Sequence, residues 1–141
     1  MHVVRLFCLV ALLPALALAS LERSPAPADA AAYFITPADG ATVAGPLTVR
    51  FGLRNMGVAP AGVAMDKTGH HHLLINTSAD DLDMSQPLPV SEQVIHFGMG
   101  QTETTIELEP GTHRLQLLLG NHFHVPHDPP VLSDIITITV E

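Results

Sequence analysis

The segment 112–130 reads THRLQLLLGNHFHVPHDPP. Leu115, Leu117 and Leu119 alternate with other residues along its first half, which is the period of a strand with one buried face. A helix here has too little room, because Gly111-Thr112 precedes the run and Gly120-Asn121 ends it. The segment is therefore read as a strand over Thr112–Gly120 that runs into a histidine-bearing loop. His122, His124 and His127 fall close together, and the prolines beyond them cannot pair regularly.

The same period recurs along the chain. Strands are expected at Tyr33–Thr36, Leu47–Leu53, His70–Ile75, Gln93–Phe97, Thr102–Leu108, Thr112–Gly120 and Asp134–Val140. Turn signals such as PADG, GMGQ and EPG separate them, and no convincing helix appears between them. Seven short strands in about a hundred residues predict an all-β, immunoglobulin-like antiparallel sandwich. One such domain is expected over residues 33–141.

Ahead of it stand two other segments. Residues 1–19 carry Arg5, an apolar run and Ala17-Leu18-Ala19. That is the pattern of a secretory signal cut before Ser20, with a run too short, and broken by Pro14, for a membrane span. Residues 20–32 are Ala/Pro-rich and are expected to form a flexible leader. The location implied is periplasmic or secreted.

Composition narrows the chemistry. The only cysteine, Cys8, lies in the signal, so the mature chain has neither disulfides nor thiolate ligands. Losing Arg5 takes the formal net charge from −8 to −9. Such a chain is a poor partner for nucleic acid or for an anionic membrane surface. No insertion into a membrane is expected after signal cleavage. Histidine, with 9 in a chain that has one tyrosine and no tryptophan, is the over-represented reactive residue.

Topology gathers these histidines. In this sandwich class the strand at 70–75 is antiparallel to the one at 112–120, and the strand at 93–97 runs back beside it. The start of the first, the end of the second and the end of the third then share one pole. His70, His72, His96, His122, His124 and His127 all belong to that pole. Parity sharpens this. His71, Leu73 and Ile75 share the apolar face, so His70 and His72 point the other way. Ile95 and Phe97 read as buried, which turns His96 outward. If the strand at 112–120 continues, Phe123 faces in and His122 and His124 face out. Residues two apart on one face stand roughly 6–7 Å apart, a workable span for two imidazoles on one ion. His71 is expected to be a satisfied core histidine, and His113, at the opposite pole, to hydrogen-bond a turn.

Imidazole suits zinc, copper, iron and nickel, and Met65 and Met99 near that pole add a thioether preference for copper. The expectation is a transition-metal site, copper or zinc, in a buffer, carrier or sensor. The alternative is a non-catalytic cell-envelope binding or assembly module whose histidines form a structural hydrogen-bonded network. A pH-sensing patch is also open. Enzyme motifs such as GxSxG, HExxH and a P-loop are absent, although a metal with three ligands and a water could support hydrolysis.

FITPADGATVAGPLTVRFGL, GHHHLLI, HFGMGQTETTIEL and HRLQLLLGNHFHVPHDPPVLSDIITITV together resemble a family of small secreted bacterial domains of unknown function. The resemblance runs from Phe34 to Val140. It implies an extracytoplasmic bacterial location and no particular activity.

Overall fold

The computed structural model describes residues 21–141. The expected signal segment, residues 1–19, lies outside them. The strands are β1 (Ala31–Thr36), β2 (Thr42–Val43), β3 (Leu47–Arg54), β4 (Gly57–Val58), β5 (Thr68–Ile75), β6 (Val94–His96), β7 (Glu103–Ile106), β8 (Gly111–Gly120) and β9 (Ile136–Val140). A 3₁₀ turn spans Ala79–Asp81. All seven expected strands form, with ends shifted by one to a few residues. The two additional strands have two residues each, too short to show a period.

One sheet has the order β1-β3-β7. The other runs β2-β9-β8-β5-β4, with β6 also paired to β5. The all-β sandwich is as expected, and β5, β8 and β9 share a sheet with β6 beside β5. The pairings of β2 with β9 and of β4 with β5 are parallel, so the sheets are mixed rather than purely antiparallel. On its outer edge β5 is shared: β4 pairs with Thr68 and Gly69, and β6 with His72 to Leu74.

The core between the sheets contains Val49 and Phe51 from β3, Leu73 and Ile75 from β5, Leu115 and Leu117 from β8, and Ile136, Ile138 and Val140 from β9. These are the alternate residues that the period of two assigns inward. The opposite face of the larger sheet is not left to water. Leu74 and Leu118 are completely buried there, under Leu82, Met84, Leu88 and Leu132. The acidic stretch after β5 thus drapes its few apolar residues over that face. Its acids remain exposed. Asp81 accepts hydrogen bonds from Ser78 N at 2.9 Å and Ser78 Oγ at 3.0 Å.

The Ala/Pro-rich stretch expected to be a flexible leader is hydrogen-bonded to the loop after β8. Ala26 N donates to Asp128 O at 3.0 Å and Asp128 N donates to Ser24 O at 2.9 Å. Arg23 donates to the carbonyls of Pro126 and His127. Backbone pairing therefore begins before Tyr33, where this segment runs beside a proline-rich loop whose backbone groups need partners.

Two-faced burial has a measurable consequence. Leu118→Ala should cost about 2–5 kcal/mol in urea denaturation, as for a core leucine. A loss under about 0.5 kcal/mol, typical of an exposed position, would mean that this face is open to solvent.

Candidate metal centre

Strand alternation places the first two histidines of a four-ring group. His70, His72 and Leu74 project from the outer face of β5, with His70 and His72 fully buried. β6 adds the third, since His96 stands directly opposite His72 in the ladder. β8 ends at Gly120, opposite His70. A side chain there is excluded: a Cβ would lie 2.8 Å from Cε1 of His72 and 3.3 Å from Cα of His124.

The fourth histidine arrives by a turn, not by a continuing strand. Asn121, 1 % exposed, accepts through Oδ1 from the N–H groups of Phe123 (2.9 Å) and Val125 (3.1 Å). His124 N donates to Asn121 O at 2.8 Å, and His124 adopts φ 65°, the left-handed region that most residues avoid. Leu88 N then donates to His124 O at 2.9 Å, tying the draped segment to this turn.

One ring nitrogen from each of His70, His72, His96 and His124 lies within 4.8 Å of the others. His70 Nε2 and His124 Nδ1 are 3.0 Å apart and share a hydrogen bond. Other polar atoms of the group have no partner: His70 Nδ1, both nitrogens of His72, and His96 Nε2 are buried and unbonded. Leaving such groups unmade is costly, about 1–3 kcal/mol each. A tetrahedral ion at about 2.0–2.1 Å from each ligand holds the nitrogens roughly 3.3 Å apart, so a small contraction of these rings would satisfy it. The residues present fit a metal ion.

Electrostatics point the same way. Burial and then the imidazoles of His124 and His96 push His70 down to about 4. Burial, followed by His70 and His96, pushes His72 down to about 2. Burial and His124 lower His96. Rings held neutral keep their lone pairs free for coordination.

The other expected ligands lie elsewhere. His122 and His127 are not in this four-ring group. β8 stops at Gly120, so the expected outward parity of His122 with His124 does not hold and Phe123 is 53 % exposed rather than inward. The His122 ring packs on Phe123 at 4.1 Å. His127 Nε2 donates to Thr68 O at 3.1 Å. Both line a neighbouring cavity together with Met65. Met99 is 79 % exposed, so the thioether argument for copper loses its support. His113 bonds Asn76 Nδ2 at 3.0 Å and Glu109 O at 2.8 Å, as its position at the far pole predicts.

Three supporting residues escape a search for ligands alone. Asn121 builds the turn, and Gly120 makes room for His72. Gly98 leaves space under His96, since a Cβ there would meet His96 Cε1 at 2.4 Å. The Gly-Asn pair before His122 and the Gly after His96-Phe97 are the signals that mark them.

His71 is also a correction. It is buried in the core against Phe51, ring centroids 4.8 Å apart, but neither of its nitrogens has a hydrogen bond. It is buried as expected and unsatisfied, because its neighbours on that face are hydrocarbon.

A family model described as Domain of unknown function (DUF4399) matches residues 49–141, a stretch that includes all four clustered histidines. No curated protein and no solved structure matches the chain. Among the described residues no helix is long and apolar enough to cross a membrane.

Burial pushes His71 down from 6.5 to about 4. Between those values the unfolded chain takes a proton at this site that the folded chain refuses. Stability of the metal-free protein should therefore fall as pH drops from 6.5 toward 4. His71→Leu should flatten that slope by up to about 1.4 kcal/mol per pH unit, one proton's worth. Urea denaturation in chelator at several pH values reads this directly, and an unchanged slope in the variant would contradict it.

Proposed function

Taking as premise that this chain belongs to the DUF4399 family of unknown function, we propose that it binds one transition-metal ion, copper(II) or zinc(II), through His70, His72, His96 and His124. The observation that carries this is the convergence of four imidazoles whose ligand atoms lie within 4.8 Å of one another, several of them buried without any other partner. An all-nitrogen set suits copper(II) or zinc(II) better than copper(I), which favours sulfur. Four ligands fill a tetrahedral ion, whereas a hydrolytic centre keeps a position open. Holding or carrying the ion, or sensing it, fits this set better than catalysis. The signal-like residues 1–19 support a periplasmic or secreted site of action.

A binding or assembly module with structural histidines has the His70–His124 hydrogen bond in its favour. It accounts for that contact and leaves both nitrogens of the fully buried His72 unexplained.

Calorimetric titration of chelator-treated, untagged protein should give one equivalent of copper(II) or zinc(II). At a free metal concentration about a thousand times the Kd, folding should gain about 4 kcal/mol. His72→Ala/His124→Ala should abolish both effects, and His122→Ala should leave them intact. Equal loss in the His122 variant would move the centre to the neighbouring loop. Neither uptake nor stabilisation in the wild type would remove the metal reading.

A further inference from the structure

A cavity of about 520 Å³ opens beside the loop that carries His122 and His127. Its size lies within the range of small-molecule sites, roughly 300–1,000 Å³. One wall is Ser24 to Pro27, held in place by the backbone bonds to Asp128 described above. The facing wall is Ala64 to Thr68, and His122 and His127 complete it. Pro25, Ala26, Pro27, Ala64 and Met65 give it an apolar portion.

Its charges are a single acid and a single base, Asp66 and Lys67. Neither side chain belongs to an ion pair among the described residues, where the pairs are Arg23–Asp128 and Arg50–Glu103. They are presented by a turn held in an uncommon conformation. Lys67 has φ 55°, Gly57 N donates to its carbonyl at 2.9 Å, and Thr68 Oγ1 donates to Met65 O at 2.8 Å. Residues kept in that region by surrounding bonds cluster at functional sites. His127 adds a buried acceptor. Its Nε2–H is taken by Thr68 O, and Nδ1 has no partner.

We infer that this cavity is a second site, separate from the metal centre, for a small zwitterion with an apolar tail, of the type of a free apolar amino acid or a dipeptide. Lys67 meets the carboxylate, Asp66 meets the ammonium, and Met65 and the prolines cover the tail. A ligand of one charge sign would leave one of the two residues facing its like.

Calorimetry on the purified protein in chelator tests this with L-leucine and leucyl-leucine. Isoamylamine, which lacks the carboxylate, and 4-methylpentanoate, which lacks the ammonium, are the comparisons. The expected result is that at least one zwitterion binds, with both comparison compounds at least tenfold weaker. Lys67→Gln and Asp66→Asn should each weaken the zwitterion at least tenfold and keep the wild-type metal stoichiometry. Equal affinity for all the probes, no binding by either zwitterion, or variants that bind as the wild type does would each overturn the assignment. Because binding is read without metal, such a failure leaves the metal centre untouched.

Discussion

A ring nitrogen taken out of water must find a partner, and most of this protein's unusual features trace to that requirement. His70 and His72 are fully buried on the sheet face whose Leu74 and Leu118 lie under Leu82, Met84 and Leu88, and Leu88 is bonded to the turn that carries His124. Burial removes water as a partner and drives the rings to the neutral form. Too few donors and acceptors replace it. Apolar residues at the same positions would pack without such a deficit. One metal ion could meet the demand of several of these rings at once.

The sandwich supplies the convergence. The ladder between β5 and β6 sets His96 against His72, and the ladder between β5 and β8 sets Gly120 against His70. Neither alignment depends on loops. Only His124 relies on one, and that loop is fixed by Asn121 inside and by Leu88 outside. Positions on paired strands hold ligand geometry more firmly than flexible segments do. The same loop and the start of β5 also line the neighbouring cavity, through His122, His127 and Thr68.

Much of this was legible in the residues. Period-two alternation marks β3, β5, β8 and β9 because each has one apolar face, and it puts His70, His72 and His96 on a common side. The alternation fails where hydrogen bonding changes the backbone path. Extending it past Gly120 turns Phe123 inward and pairs His122 with His124, whereas the Asn121 side chain captures two N–H groups and curls the chain. His124 joins the group through that turn. The packing role of residues 82–88 is equally hidden, since Leu82, Met84 and Leu88 have no period of their own. The leader reads as free because prolines and alanines carry no packing signal; its partners are backbone groups of a distant loop.

X-ray absorption at the metal edge, on protein loaded with one equivalent of copper(II) or zinc(II), reaches the central claim most directly. The account predicts a first shell of about four imidazole nitrogens near 2.0–2.1 Å, with the outer-shell scattering of the rings. A sulfur at about 2.3 Å, or a shell dominated by oxygen, would contradict it.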